Sequence, residues 1–196
     1  PWYSEGDPIL WWSPDPRMII RPEEFRPSRS LRKVYTKSDY RLSMDEDFDA
    51  VVRQCALVPR RGQDGTWITE DMITAYISLH RSGIGHSVEC WDGDKLVGGL
   101  YGLSIGDCFF GESMFSKQSD VSKIAFWALM QYSEAAGIKL VDCQIYNDHL
   151  ASLGAYPVPR IEFLRRLNQD VQADTRVGPW TQQFETAMAS GLISRR

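Results

Sequence analysis

Apolar positions along this chain follow two periods, and the switches between them mark out the elements. Phe48, Val51, Val52 and Cys55 recur at helical spacing, which predicts a helix over 44–56 with Ser43-Met44-Asp45-Glu46 before it as a capping box. Met72, Ile73, Tyr76, Ile77 and His80 form the inner stripe of a second helix, 70–81, capped by Thr69 and ended by Gly83 and Gly85. The pattern then turns to strands. Ser87–Trp91 is one, Asp92-Gly93-Asp94 a hairpin turn, Leu96–Leu103 a second strand, and Ile105-Gly106-Asp107 a turn into a third, 108–115. Asp120 is placed to cap a helix over 121–136, which Gly137 stops, and Val141, Cys143 and Ile145 alternate with Asp142 and Gln144 along a strand at 139–145. A short helical segment at 150–154 and a basic helix at 160–167 follow, and the tail from 169 carries only weak signals.

This order is a three-strand antiparallel meander followed by strand, helix and strand. A crossover longer than a dozen residues implies parallel, right-handed connection, so strands 108–115 and 139–145 run parallel, as neighbours or splayed apart. The expected class is α/β (α+β): a mixed sheet with helices on both faces. Sites in such sheets favour the carboxyl ends of the parallel strands, here Glu112–Ser116 and Asp142–Asn147.

Residues 1–41 break the pattern. Pro8, Pro14, Pro16, Pro22 and Pro27 oppose long helices, so this Pro/Trp/Arg-rich segment is expected to be extended and to pack on a domain spanning 42–196. Its aromatics are packing anchors or platforms for bases. It begins Pro1-Trp2-Tyr3, an atypical start that suggests a preceding segment.

Composition excludes several classes. With 196 residues, 43% hydrophobic and 24% charged, the chain is an ordinary globular domain with no apolar run long enough for a membrane span. Cys55, Cys90, Cys108 and Cys143 lie far apart, in apolar segments, and only three histidines are present. Buried free thiols in a reducing, cytoplasmic setting are expected, with no metal site. A net charge of −4 argues against a general nucleic-acid binder, yet Arg17–Arg41 holds eight basic residues against three acidic ones. Such a patch is a solvated loop face or a local grip on phosphates.

The candidate chemistry lies in the two parallel strands. Glu112 interrupts an apolar strand, which is costly unless the carboxylate has a partner or a task. On its own it reads as a strand carboxylate satisfied by a buried Arg. Gly111 beside it marks a bulge or a close approach. A bulge is expected there, because strict alternation would put Phe109 and Met114 on opposite faces.

The arrangement resembles the acetyltransferase-type (GNAT) fold, and specific strings resemble the leucyl/phenylalanyl-tRNA–protein transferase family. These are Gly6-Asp7-Pro8-Ile9-Leu10-Trp11-Trp12-Ser13-Pro14-Asp15-Pro16-Arg17 and Gly65-Thr66-Trp67-Ile68-Thr69. Gly111-Glu112-Ser113-Met114-Phe115-Ser116, Asp142-Cys143-Gln144-Ile145-Tyr146-Asn147-Asp148-His149 and Ala151-Ser152-Leu153-Gly154-Ala155 complete the set, so the likeness runs from Trp2 to about Asn168. The resemblance implies transfer of Leu or Phe from tRNA to the α-amine of proteins beginning with Arg or Lys, the bacterial N-end tagging reaction. Leu-tRNA, Phe-tRNA and Met-tRNA are the implied donors, and a monomer is expected. No coenzyme or metal is implied, because the tRNA ester is already activated. In keeping with this, no Gly-rich phosphate loop lies between strand 108–115 and the next helix.

The resemblance also implies roles. Asp142 and Gln144 match the catalytic pair: Asp142 removes or relays the amine proton, or Gln144 orients the amine while Asp142 positions it. Glu112 and Asn147 match acceptor-binding positions. Leu100, Phe109, Gly111 and Met114 match the aminoacyl pocket, with Leu100 where Met is common. Trp2 and Trp67 match residues that stack on the terminal adenosine. Arg29, Arg32, Lys33, Arg41, Arg165 and Arg166 are candidate contacts to the tRNA backbone or plain surface charges. The competing readings are another transferase of the same fold, using acetyl-CoA or building peptides from charged tRNA, and a non-catalytic RNA- or N-terminus-binding module.

Overall fold

A computed structural model describes residues 8–58 and 66–194. Among them seven strands form one mixed sheet in the order β2-β3-β4-β5-β6-β1-β7. The expected meander is β3 (Gly85–Asp92), β4 (Lys95–Ile105) and β5 (Cys108–Ser116), paired antiparallel in sequence. The crossover helix α4 (Val121–Ala136) leads to β6 (Leu140–Gln144), which runs parallel to β5. Both expected relations between these strands occur: Cys108, Phe109 and Phe110 pair with Leu140, Val141 and Asp142, and beyond that point no pairing continues.

Helices cover both faces. α4 is buried along most of its length and joins Trp127, Leu129 and Met130 to a core containing Val88, Leu100 and Phe109. On the other face α2 (Phe48–Ala56) and α3 (Glu70–Arg81) pack Val51, Val52, Ile73 and Tyr76 against Tyr101 and Phe115. Thr69 caps α3 through Met72 N, as its spacing predicts, and Gly137 ends α4 at φ +78°. No helix among the described residues is long and apolar enough to cross a membrane. All four cysteines are free thiols.

Several expectations fail, each because tertiary contacts override a local signal. The capping box at Ser43–Glu46 caps nothing: Ser43 and Met44 belong to β2 (Arg41–Met44), paired with Glu89 and Val88, and Asp47 caps α2 instead. Asp120 holds the N-cap position of α4 at φ +64°, but its carboxylate turns to Lys123 and caps no backbone amide. The proline-rich start is more ordered than expected. Arg17–Ile20 forms β1, inserted between β6 and β7 (Tyr156–Val158), and the proline-free stretch after Pro27 forms α1 (Arg29–Lys37), capped by Ser28. Two further helices, α5 (Asp148–Ala151) and α6 (Arg160–Asp170), lie near the positions their patterns suggest.

The weakly patterned tail is part of the core. It carries α7 (Thr181–Ala189), and before it Trp180, 1% exposed, stacks on His86 at 3.8 Å and packs on Tyr132 and Phe109. The Trp180 backbone amide donates to the carboxylate of Asp45, which also accepts from His86 and from the Ser87 amide. A single aromatic residue in a polar run gives no periodicity, so its burial is invisible in sequence. Trp180→Ala should therefore cost about 3–5 kcal/mol, read as a lowered urea midpoint.

Glu89 is wholly buried between β2 and β4, where Ser43 Oγ donates to it at 2.6 Å and Ser87 Oγ also donates to it. Burial pushes its pKa up, only partly offset by those hydroxyls. The folded state then holds the proton more tightly than the unfolded chain. Its contribution to stability is full below the ordinary Glu value of about 4.3 and is lost as pH rises through the raised folded value. Glu89→Gln should remove that part of the pH dependence in urea melts taken from pH 4 upward.

Candidate active site

The site begins where β5 and β6 part. Opposite Tyr101 stands Ser113 and opposite Gly102 stands Gly111, so Glu112 is an extra residue on β5. This is the bulge expected at Gly111, and it lets Phe109 and Met114 line one cavity. Gly102 is required across from it. A Cβ there would lie 2.2 Å from the Phe110 carbonyl oxygen and 2.6 Å from the Phe109 ring.

On β6, Asp142 is completely buried. Arg17, at the start of β1, grips it with two hydrogen bonds: Nε donates to Oδ1 at 2.9 Å and Nη2 to Oδ2 at 2.7 Å. Oδ1 also accepts from the backbone amide of Gln144 at 2.9 Å, an Asx turn. Gln144 sits at φ +66°, and the Ile145 amide donates to the Cys143 carbonyl at 2.9 Å across it. This is a γ-turn of the strained hand, worth roughly 1–3 kcal/mol of backbone strain. The turn breaks strand alternation, so Gln144 and Ile145 leave the faces that alternation assigns them, and Ile145 is 48% exposed.

The turn aims the Gln144 side chain across the gap. Its Nε2 donates to the Gly111 carbonyl at 2.9 Å and lies 3.5 Å from Glu112 Oε2, a long contact. The hydrogen bond between Asp142 and Gln144 thus exists, but through the Gln144 backbone. Burial pushes the pKa of Glu112 upward, partly offset by the Tyr76 hydroxyl and by Gln144. Arg17 is committed to Asp142, and among the described residues no Arg pairs with Glu112, as the reading of a strand carboxylate satisfied by a buried Arg would require.

Gln144, Glu112, Asp142 and Arg17 stand on the wall of a cavity of about 1240 Å³. Leu100, Phe109, Gly111 and Met114 line it, with Phe126 and Leu129 of α4 beside them. Trp67 and Tyr76 line the α3 side, and Trp67 is largely buried in the core there. Asn147 also lines the cavity, and its Oδ1 caps α5 by accepting from Leu150 N at 2.8 Å. Trp2 lies outside the described residues. Trp11 and Trp12, 80% and 63% exposed, stand on the lining as well.

The basic candidates are elsewhere, and none lines the cavity. Arg29 and Lys33 are exposed on α1, and Arg32 lies over the Trp127 ring at 5.5 Å. Arg41 pairs with Glu46 and covers Trp91 at 4.9 Å. Arg165 and Arg166 both bind Glu162, holding its carboxyl down at about 2. Sequence reasoning did not single out Arg17 or Tyr76 as site residues. Arg17 closes the Gly6–Arg17 string, but its distant partner has no local signature.

The family model described as leucyl/phenylalanyl-tRNA protein transferase matches residues 19–168. A leucyl/phenylalanyl-tRNA–protein transferase of Anaeromyxobacter dehalogenans (strain 2CP-C) is 49% identical over 187 residues, 95% of this chain and 79% of that one. The protein of the same name from Pseudomonas fluorescens (strain Pf0-1) is 58% identical over 163 residues, 83% of this chain and 72% of that one. Among solved structures the likeness is distant: L-PGS from Bacillus licheniformis has a TM-score of 0.46 at 13% identity, covering 68% of this chain and 46% of that one.

Gly102→Ala should push Phe109 and the bulge out of register. A loss of about 1–3 kcal/mol in urea stability is expected, with the Phe109 side of the cavity narrowed in a crystal structure of the variant.

Proposed function

The chain belongs to the leucyl/phenylalanyl-tRNA–protein transferase family, and we propose that it moves Leu or Phe from aminoacyl-tRNA to the α-amine of proteins beginning with Arg or Lys. The observation that carries this reading is Gln144, held across the β5–β6 gap beside Glu112 and an apolar cavity. The chemistry asks little of a base. An α-amine titrates near 8, so a useful fraction is already neutral at pH 7. The neutral nitrogen attacks the ester carbonyl, the carbon–oxygen bond to the tRNA ribose breaks, and the proton lost by the amine ends on that ribose oxygen.

Gln144 orients the nucleophile. Its Nε2 is committed to Gly111, leaving Oε1 to accept a hydrogen from the attacking amine. Asp142 positions Gln144. Both its oxygens are occupied by Arg17, one of them also by the Gln144 amide, and it is fully buried, which favours positioning over proton removal. Glu112 receives the acceptor's cationic group, and Asn147 borders its path. Leu100, Phe109 and Met114 hold the Leu or Phe side chain. Trp67, which lines the cavity, and Trp2 hold the terminal adenosine. Arg29, Arg32 and Lys33 on α1 contact the tRNA backbone, and Arg41, Arg165 and Arg166 do so only in exchange for their carboxylate partners.

Radiolabelled Leu-tRNA and a peptide beginning with Arg test this directly: label should appear in the peptide. Binding without transfer, or activity with acetyl-CoA alone, would replace the reading. Gln144→Asn keeps a residue that tolerates the left-handed backbone but shortens its reach. It should lower kcat about 100-fold while aminoacyl-tRNA still binds. Glu112→Gln should raise KM for the Arg peptide about 10- to 100-fold. Because burial raises the Glu112 pKa, wild-type affinity for the peptide should fall on the acid side at a pH above the ordinary carboxylate range, and the Gln variant should lack that limb.

A further inference from the structure

The β1 strand reaches the site through one side chain, Arg17, and that side chain grips the carboxylate that holds the Gln144 amide. Met18 stands opposite Gln144 and Ile19 opposite Asp142, with the register shifting between them, so Arg17 enters beside the γ-turn. Its guanidinium is fixed on a second side by the ring of Phe163 from α6, at 5.1 Å. The planar fork meets both oxygens of a carboxylate that has no access to solvent. That carboxylate in turn holds the amide of the one site residue in a left-handed conformation.

We propose that Arg17 is a positioning residue for the transfer reaction, acting through Asp142 to keep the Gln144 turn in its strained form; this rests on the role given to Gln144 above. Two physical consequences follow from the geometry. The pair fixes where Oδ1 lies, and so fixes the Gln144 amide and the direction of its side chain. It also cancels the Asp142 charge inside the protein, so that the carboxylate left to meet an incoming cation is Glu112. What Asp142 supplies to Gln144 is an acceptor oxygen rather than a negative charge. The Arg is needed because a buried carboxylate without it would be driven to protonate or to leave its place.

The test compares wild type, Arg17→Lys, Arg17→Met and the double variant Arg17→Met/Asp142→Asn. An Asn at 142 retains an oxygen that accepts the Gln144 amide, and the double variant buries no charge, so it is expected to fold even if Arg17→Met does so poorly. Arg17→Met should lose at least tenfold in kcat with KM for aminoacyl-tRNA within twofold of wild type, and Arg17→Lys should fall between. The double variant should regain most of the loss. Amide hydrogen exchange supplies a readout independent of activity: Gln144 and Ile145 should exchange at least tenfold faster in Arg17→Met, relative to core amides of β4, and slow again in the double variant. Unchanged kcat and exchange in a folded Arg17→Met overturns the proposal. A folded double variant with wild-type exchange but no recovered kcat also overturns it, since the charge of Asp142 would then be required. If wild type itself transfers nothing, the transfer reading fails, while the exchange data still decide whether Arg17 holds the turn.

Discussion

Three residues of parallel pairing between β5 and β6, followed by none, are the constraint on which this molecule is organised. A sheet that stayed zipped would bury the ends of both strands in each other's hydrogen bonds. Separation frees backbone groups that need other partners, since an unmatched buried peptide group costs about as much as a lost hydrogen bond. The Gly111 carbonyl finds the Gln144 side chain, and the gap becomes a polar seam set in an apolar cavity. The Glu112 bulge belongs to the same event: one extra residue on β5 bends the strand away while its pairing with β4 resumes on either side.

Charge is distributed around that seam with economy. Asp142 lies deepest and is matched by Arg17 with two hydrogen bonds. A buried carboxylate tolerates this position only with such a partner, because the cost of leaving water must be met by close geometry. Glu112 has neutral hydrogen-bond partners among the described residues in Tyr76 and Gln144, and burial raises its pKa. A carboxylate in that condition gains most from an arriving cation. The proposed acceptor, with its cationic first residue, fits this difference between the two acids.

The framework of the fold was legible because it rests on periodicity and local capping. The meander, α3 with its Thr69 cap, the crossover helix with its Gly137 stop and the bulge beside Gly111 all follow from spacing and from what Gly allows. The strings around Trp67, Glu112 and Asp142 carried the family, which the comparisons bear out. Elements stabilised mainly from a distance were not legible. β1 is four residues long and gains its place by pairing with β6 and β7, and Trp180 is held by His86, Tyr132 and the Asp45 carboxylate. Ser43 shows the same conflict from the other side, since a good local cap yielded to a strand ladder and to Glu89.

By itself, then, the sequence determined which residues would stand at the ends of two parallel strands, for side-chain period and turn chemistry act over a few residues. It could not determine what each would do there. Only the tertiary structure brought Arg17 across 125 positions to Asp142, turned Gln144 off its strand face and buried Glu112 beside Tyr76 and Gln144. Those outcomes depend on contacts between segments far apart in the chain, and on burial, which changes what a carboxylate costs.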